Sequence, residues 1–337
     1  MPPTLMKTFR SSLVCSYTSL TSDRRPITWP VTPYVGAHGT LDLTTGLTYP
    51  DKAERARRDP RVALLYTGDT AGDTAGDTAG DTVVLVQGRA AVRDADLQAN
   101  TDRYVRESLA RIPDAFAGMP WFLVKRFTWY FARIYVEVTP ERLIWWPDGD
   151  LSRTPEVWSA PPGGDRPASD PAPTGRRLPR RSAPPEDWRP YAERARRLGP
   201  PAVSMLVDEL PVTVPVRSFT ATPGGYELRL PAGVQGVPGP ACLTFHRHGP
   251  GMRWQENVVL LGDATVTDDR LQVTVQRALP DWSLPADRRE RTRSFLGHGR
   301  QLKQRLRAEA ERRGQAVPIV RRTTAQDSLK TASRPLP

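Results

Sequence analysis

The sequence has few of the residues that support disulfides, metal pairs or membrane insertion. Its 337 residues include only two cysteines, Cys15 and Cys242. Each lies in an apolar stretch, which predicts a buried thiol rather than a disulfide or metal ligand. No apolar run approaches the length of a transmembrane helix, and residues 1–20 lack the apolar centre of a signal peptide. We therefore expect a cytoplasmic protein.

The common hydrolytic and metal motifs are also missing. We find no Ser-His-Asp set, no paired carboxylates and no His-Glu-x-x-His sequence, so no catalytic residue is assigned. His246 and His248 alternate along a predicted strand and could ligate a metal. Because spacing fixes no third ligand, ordinary satisfied or exposed histidines are favoured, and we predict no metal site.

Lysine is scarce in this strongly basic chain. The net charge is +11, yet only 5 of the 48 basic residues are lysines. Such a charge suits nucleic acids or small anionic ligands. The arginines are spread along the chain, with one concentration at 288–322. That segment lacks interleaved aromatic residues for stacking on bases, which makes nucleic acid an unlikely partner.

The hydrophobic fraction of 38% is low, and the 35 prolines indicate that part of the chain is linker. We predict a first domain at 1–150, a flexible Pro- and Arg-rich linker at 151–190 and a second domain at 191–315. The second domain is expected to end in a long basic helix. The tail, 316–337, is predicted to be disordered.

Residues 39–66 predict a strand, a loop, a short helix and a second strand. Leucines alternate with polar residues before the loop, as in a half-buried strand. Pro50 and Asp51 suit the first turn of a helix. Asp59 precedes Pro60, which disfavours continuation of the helix.

Hydroxyl side chains and one lysine cluster on this strand-to-helix loop. Together with the loop N–H groups they suit a phosphate. The cluster consists of Thr44, Thr45, Thr48 and Lys52. Since threonine and lysine are also ordinary surface residues, the chemistry alone leaves a solvated loop as an open alternative.

Two other conspicuous segments have structural interpretations. The Gly-Asp-Thr repeat at 68–82 does not have the spacing of a calcium loop, so it predicts a lengthened hairpin loop. The aromatic-rich segment 120–132 is predicted to be a helix of the core rather than a cofactor site. Lys125 and Arg126 within it could still face an anion.

The second half of the chain repeats the first. Residues 26–46 match 211–231, with Thr28 on Thr213. Further matches place Pro60–Tyr66 on Pro240–His246, the Val-Val-Leu sequence at Val83 on that at Val258, and Gly88 on Gly262. These matches predict two tandem barrels, the second with shorter loops. The second copy lacks the lysine and threonines, so we expect it to have lost the phosphate site.

The residues also resemble a known family. The order R-R-P-I-T-W-P-V, G-T-L-D-L-T-T and K-A-E-R-A-R-R-D-P-R-V-A-L-L-Y is similar to the pyridoxamine 5'-phosphate oxidase-like FMN-binding split barrels. The resemblance covers about residues 13–146 and includes the spacing from Lys52 to Pro60. It implies a mainly β fold with flanking helices (α+β). The two tandem FMN-binding-type split β-barrels would form an intrachain pseudo-dimer with a degenerate second barrel.

The resemblance further implies a flavin-dependent oxidoreductase. FMN would lie in the groove between the barrels and exchange hydride with an unidentified small molecule, the chemistry residing in the cofactor. The threonines and Lys52 would hold the phosphate, Arg61 would assist, and Thr28 and Trp29 would lie along the ring.

Several alternatives stay open at this point. The same scaffold can accept a deazaflavin coenzyme in place of FMN. The protein could also be a non-enzymatic module that binds flavin or haem. Two chains could associate further into a homodimer.

Overall fold

A computed structural model of the chain describes residues 1–68, 81–116, 119–164, 166–177, 187–279 and 283–321. The core of the Gly-Asp-Thr repeat, residues 69–80, lies outside the described residues. Within the described ranges, no helix combines the length and apolar character needed to cross a membrane.

The first half of the chain forms one antiparallel sheet. Its strands are β1 (Cys15–Leu20), β2 (Pro26–Val31), β3 (Tyr34–Val35), β4 (Leu41–Gly46), β5 (Arg61–Tyr66), β6 (Val83–Arg93), β7 (Arg133–Trp146) and β8 (Glu156–Ser159). Their order across the sheet is β2-β1-β5-β6-β7-β4-β3, with β8 pairing β7. Strand β7 is a single strand of 14 residues.

The second half forms a sheet of the same design. Its strands are β9 (Ala202–Val207), β10 (Leu210–Pro215), β11 (Ser218–Thr222), β12 (Gly225–Arg229), β13 (Gly239–His248), β14 (Gln255–Thr267) and β15 (Arg270–Leu279). Their order is β10-β9-β13-β14-β15-β12-β11. Replacing each strand of the first sheet by its counterpart, β1 by β9 and so on, reproduces this order strand for strand.

The helices distinguish the two halves. They are α1 (Met6–Ser11), α2 (Asp51–Arg58), α3 (Leu97–Arg111), α4 (Trp121–Val124), α5 (Thr128–Phe131), α6 (Arg189–Arg197) and α7 (Arg288–Arg312). Helix α2 joins β4 to β5, and α3 to α5 join β6 to β7, whereas β14 and β15 are joined by a short turn. The single helix predicted at 120–132 is two short helices, α4 and α5.

The predicted internal repeat is confirmed, with one correction of register. Gly88 and Gly262 both lie where the pairing of a long hairpin shifts, so they are equivalent bulges. On β5 and β13, however, Ala63 pairs with β1 as Cys242 pairs with β9. The sequence match had placed Val62 on Cys242. A slip of one residue exchanges the two faces of a strand, so the earlier match put core residues opposite interface residues.

The two barrels are joined by a buried interface with approximate twofold symmetry. At its centre, hydroxyls from equivalent positions form one cluster: Thr18 Oγ1 lies 2.7 Å from Thr28 Oγ1 and 2.5 Å from Thr213 Oγ1. Ser204 Oγ lies 2.5 Å from Thr28 Oγ1 and 3.0 Å from Thr213 Oγ1. All four side chains are fully buried. Apolar residues of both barrels surround this cluster, so the halves form one packed unit.

The predicted linker and tail follow the first barrel more closely than their compositions indicate. Within the linker, β8 extends the first sheet, and the Asp170 carboxylate accepts hydrogen bonds from the backbone of Asp94 and Ala95 at 2.7 and 2.8 Å. Residues 316–321 run beside α3, where Ile319 N donates to Gln98 Oε1 at 2.8 Å. The composition of these segments did not predict the contacts, because they are made by single polar groups and not by apolar stretches.

Candidate functional site

The corner between β4 and α2 is held by its own backbone and hydroxyl groups. Thr45 Oγ1 donates to the Tyr49 carbonyl at 2.8 Å, and Tyr49 N donates to the Gly46 carbonyl at 2.9 Å. Leu47 N donates to the Ala132 carbonyl at 2.8 Å, which ties the turn to the start of β7. Thr45 therefore shapes the loop rather than pointing its hydroxyl at a ligand.

Two polar groups converge on the side of Gly46 where other residues carry a Cβ. A methyl group there would lie 3.5 Å from Arg133 Nη1 and 3.7 Å from Thr48 Oγ1. Thr48 is fully buried, and its hydroxyl has no hydrogen-bond partner within the described part of the chain. A buried hydroxyl without a partner costs about 1–3 kcal/mol, so this geometry calls for an acceptor.

Lys52 brings a cation to the same corner. Its side chain is half-buried, and Nζ lies 5.5 Å from the centre of the Trp29 ring. Burial, followed by the positive charges of Arg55 and Arg133, lowers the pKa of Lys52 to about 7, against the opposing effect of Asp51. Several cations in one poorly hydrated place would be stabilised by an anion.

Arg133 belongs to this corner, and the sequence interpretation missed it. It pairs with Gly46 across β4 and β7, and its guanidinium lies over the rings of Tyr104 and Tyr130 at 4.4 and 4.6 Å. Arg133 Nη2 donates to Tyr104 Oη at 3.1 Å. In the sequence it is recognisable only as an arginine directly after the aromatic segment. The cations proposed there from the sequence, Lys125 and Arg126, are exposed.

The remaining predicted site residues lie in different surroundings. Thr28 is in the buried hydroxyl cluster at the interface. Trp29 packs against interface residues that include Cys242 and Val259 of the second barrel. Thr44 is half-buried on β4, and it faces away from Thr45 because strand side chains alternate.

Arg61 lies apart from the corner. Its guanidinium donates to both carboxylate oxygens of Asp59 at 2.8 and 2.6 Å, and to the Glu209 carbonyl at 2.9 Å. Lys52 lies in the first turn of helix α2, whereas Arg61 follows the opposite end of that helix. The structure thus brings Thr48 and Lys52 together with Arg133, but Arg61 contacts the second barrel instead.

The aromatic segment predicted to be core is buried under α7. Phe295 of α7 packs against Phe127 and Trp129 with ring centroids 5.2 and 5.3 Å apart. Trp129 Nε1 donates to the Phe295 carbonyl at 3.2 Å. This confirms the structural interpretation of that segment and anchors α7 on the first barrel.

Ion pairs fix the far end of α7 against α2. Arg313 donates to Glu54, to Asp94 and to Glu309 at distances of 2.8–3.1 Å. Burial alone would raise the pKa of Glu54, but Arg312 and Arg313 hold it below its ordinary value. Near the corner itself, Arg305 lies over the Tyr49 ring at 5.3 Å.

The histidines do not form a metal centre. His246 and His248 have ring centroids 5.6 Å apart, and among the residues the structure describes there is no group of three His, Cys, Asp or Glu side chains that could hold a metal. His246 was expected to be satisfied or exposed. It is half-buried and its side chain hydrogen-bonds Gln255, while its buried Nε2 has no partner within the described ranges.

The comparisons with known proteins give matches to solved structures only. No family model matches the chain, and no curated protein matches it. A conserved hypothetical protein of Mycobacterium tuberculosis is similar at 21% identity, with 44% of this chain and 86% of that chain covered and a TM-score of 0.34. An FMN-binding protein of Nostoc punctiforme related to pyridoxamine 5'-phosphate oxidase is similar at 11% identity, covering 43% and 84%, with a TM-score of 0.30.

A third similar structure is an F420 reductase, at 14% identity, 42% and 98% coverage and a TM-score of 0.32. A protein of unknown function from Agrobacterium tumefaciens is similar at 14% identity with a TM-score of 0.31. The match covers 44% of this chain and 58% of that chain. None of these values establishes a cofactor or an activity for this chain. The strand order, repeated in both sheets, is what decides the fold.

The chain is a tandem split barrel. Its first barrel keeps a donor-rich corner on α2, and its second barrel has no helix between β12 and β13 within the described residues. The donor set of that corner fits a phosphate: one hydroxyl without a partner, a guanidinium and a half-buried ammonium. The Asp51 carboxylate, which raises the pKa of Lys52, is itself paired with Arg177.

Proposed function

We propose that this tandem split barrel binds a flavin-type cofactor, FMN or its deazaflavin counterpart, and acts as an oxidoreductase on a small molecule. The observation that carries the proposal is the buried Thr48 hydroxyl, which has no partner in the described residues. Like Arg133 Nη1, it lies within 3.7 Å of the position that a Cβ on Gly46 would take. Lys52 adds a cation whose pKa is lowered by burial and then by the nearby charges of Arg55 and Arg133. A phosphate monoester is the flavin group that these donors would satisfy.

The residues have distinct roles in this proposal. Thr48 would donate to a phosphate oxygen, Arg133 and Lys52 would neutralise its charge, and Thr45 would maintain the loop. Arg133 is pre-oriented because it stacks on Tyr104 and Tyr130. A bound flavin would supply hydride transfer, which explains why the chain needs no acid–base pair.

Trp29 connects the corner to the groove between the barrels. Its ring lies under Lys52 and against the second barrel, so a ligand held by its phosphate at the corner would extend along this groove. The apolar interface residues there would exclude water from the reacting part of the ligand. The Thr28 hydroxyl contacts the hydroxyls of Thr18 and Ser204, so Thr28 would line the groove with its backbone.

The proposal is tested by the visible spectrum of the purified protein and by titration with FMN. Lys52→Ala should raise the FMN dissociation constant roughly 10- to 100-fold, because a charge-assisted hydrogen bond contributes about 1.5–3 kcal/mol. Lys125→Ala is the matched control, since Lys125 is an exposed lysine outside the corner. An FMN dissociation constant unchanged in Lys52→Ala would remove the corner from the binding site.

Two further measurements separate the alternatives. The absorption spectrum of the bound chromophore distinguishes FMN from a deazaflavin. Anaerobic mixing with a reduced nicotinamide distinguishes an enzyme from a flavin-binding module. An enzyme that uses this donor reduces the bound flavin, and so bleaches its absorption, within the time of one turnover, whereas a binding module does not. A haem spectrum would contradict the flavin proposal outright.

A further inference from the structure

The second barrel presents two polar side chains on the wall that faces the first barrel. Strand alternation decides which residues face that way. Thr244 Oγ1 donates to the Thr28 carbonyl at 3.2 Å, and Val259 packs against Trp29. His246 and Asn257, which are cross-strand partners, continue the same faces of β13 and β14.

Both side chains bury a polar atom that lacks a partner. These atoms are His246 Nε2 and Asn257 Nδ2, and neither has a hydrogen-bond partner in the part of the chain that the structure describes. Asn257 is only 2% exposed. Cross-strand partners have Cβ atoms about 5 Å apart, so the two atoms are close enough to contact one planar group.

The protonation of His246 follows from its surroundings. Burial, followed by the electrostatic influence of His248, lowers the pKa of His246 to about 3, so the ring is neutral at physiological pH. Its side chain hydrogen-bonds Gln255, and that bond favours the protonated ring, which means that the imidazole donates. Because Nε2 has no partner in the described ranges, Nδ1 makes this bond, and Nε2 carries a lone pair.

The wall therefore presents an acceptor beside a donor. Nε2 of His246 can accept one hydrogen bond, and Nδ2 of Asn257 can donate one. The complementary ligand edge is an N–H next to a C=O, as in a cyclic amide or imide. The pyrimidine-dione edge of a flavin or deazaflavin ring has this pattern.

The pseudo-symmetry of the molecule identifies the residue of the first barrel that is equivalent to Asn257. Val83 precedes Val84 on β6 as Asn257 precedes Val258 on β14, and Val84 pairs with Tyr66 as Val258 pairs with Phe245. The first barrel thus has buried Val83 where the second has Asn257.

Each groove of a pseudo-dimer combines the corner of one barrel with the wall of the other. The corner of the first barrel, with Lys52, and the wall of the second, with Asn257, are both polar. The reciprocal groove has no α2 counterpart in the described residues, and its wall is apolar at Val83. The two grooves thus differ at the α2 corner and at the wall position that Asn257 and Val83 occupy.

We propose that His246 and Asn257 form a subsite of the second barrel that binds the cyclic amide edge of the ligand whose phosphate the first barrel holds. This inference rests on the proposed function, and it assigns the second barrel a direct part in recognition. Asn257 lies two strand residues, about 7 Å, from Val259, which belongs to the cluster against which Trp29 packs. The subsite therefore lies in the same groove between the barrels as Lys52.

The test compares FMN with FMN methylated at N3, whose ring N–H is replaced. Dissociation constants are measured by flavin fluorescence for the wild type, His246→Leu and Asn257→Leu. In the wild type, methylation should weaken binding roughly 10- to 100-fold, because it leaves the His246 acceptor unpaired. In His246→Leu that penalty should fall below about 3-fold. Asn257→Leu should weaken binding of both ligands and keep the penalty.

His38→Leu is the matched control, because His38 is an exposed histidine on the β3–β4 connection. Thermal unfolding of each variant establishes that it is folded at the titration temperature. Absence of a methylation penalty in the wild type would overturn the subsite, and so would an equal penalty in His246→Leu. If FMN binds and depends on Lys52 while either result holds, only the subsite fails; if the wild type binds no FMN, the proposed function fails as well.

Discussion

The two barrels share a strand framework and differ in everything placed upon it. The strand order is the same, the bulges at Gly88 and Gly262 coincide, and the hydroxyls at the interface lie at equivalent positions. The first barrel adds α2 to α5 and is covered by α7, whereas the second has short connections. The β framework is therefore common to the two halves, and the helical additions make the two grooves different.

Helix α7 makes the comparison sharper, because it follows the second barrel in sequence but packs on the first. Leu306 and Ala310 belong to the core of the first barrel, and Phe295 belongs to its aromatic cluster. The first barrel is consequently incomplete without the end of the chain. This arrangement couples the halves more strongly than their interface alone.

The largest expected effect comes from breaking the contact of α7 with the first barrel. Arg313→Ala should lower the free energy of unfolding by about 1.5–3 kcal/mol, because it removes buried charge-assisted hydrogen bonds to Asp94 and Glu309. Each carboxylate keeps one other arginine partner, Arg57 and Arg312 respectively. Urea unfolding followed by circular dichroism measures the change. Arg307→Ala is the control, since Arg307 is exposed on the outer face of α7. Equal stability of the two variants would show that the first barrel does not depend on α7.

A pH series tests whether the charge of the corner distinguishes the barrels in function. Lys52 has a pKa lowered to about 7 by burial and by Arg55 and Arg133, so it loses its proton above that pH in the free protein. A phosphate would raise the pKa of Lys52 in the complex, so the FMN dissociation constant should rise up to about tenfold per pH unit above pH 7. Below pH 7 this lysine contributes no pH dependence.

The control for that series is Lys52→Gln. It should bind FMN more weakly at pH 6.5, and its dissociation constant should change little between pH 7 and pH 9, because the titrating group is gone. Isothermal titration in two buffers of different ionisation enthalpy would also detect the proton taken up by the wild type. A wild-type profile as flat as that of the variant would mean that the Lys52 ammonium does not contact the ligand.

Local patterns were sufficient to predict most of this framework. Alternation and proline placement predicted β4, α2 and β5, and the repeated Thr28 and Thr213 predicted the second barrel. The comparison failed by one residue at β5 because it aligned Tyr66 with His246, while the strand pairing makes Tyr66 equivalent to Phe245. An aromatic core residue and a polar wall residue occupy neighbouring positions there, and sequence identity alone cannot choose the face.

The candidate site was only partly predictable for a related reason. Thr48 and Lys52 are neighbours in sequence, so their loop could be recognised from composition. Arg133 reaches the corner through the pairing of β4 with β7, and His246 with Asn257 reaches the groove through the contact of two barrels. Such long-range contacts leave no periodic signal. Arg61 lies near Lys52 in sequence but beyond the opposite end of α2, where it contacts Asp59 and the Glu209 carbonyl.

The smallest expected effect separates a ligand-binding hydroxyl from a structural one within the same loop. Thr48→Val should leave the free protein as stable as the wild type or stabilise it by about 1 kcal/mol, because it removes a buried hydroxyl that has no partner in the described structure. The same change should weaken FMN about tenfold and riboflavin, which lacks the phosphate, hardly at all. Thr45→Val is the matched comparison: it removes the bond to the Tyr49 carbonyl, so it should destabilise the protein by about 1 kcal/mol. If Thr48→Val is the more destabilising of the two, its hydroxyl supports the loop, and the corner would lose the acceptor-seeking group on which the phosphate assignment rests.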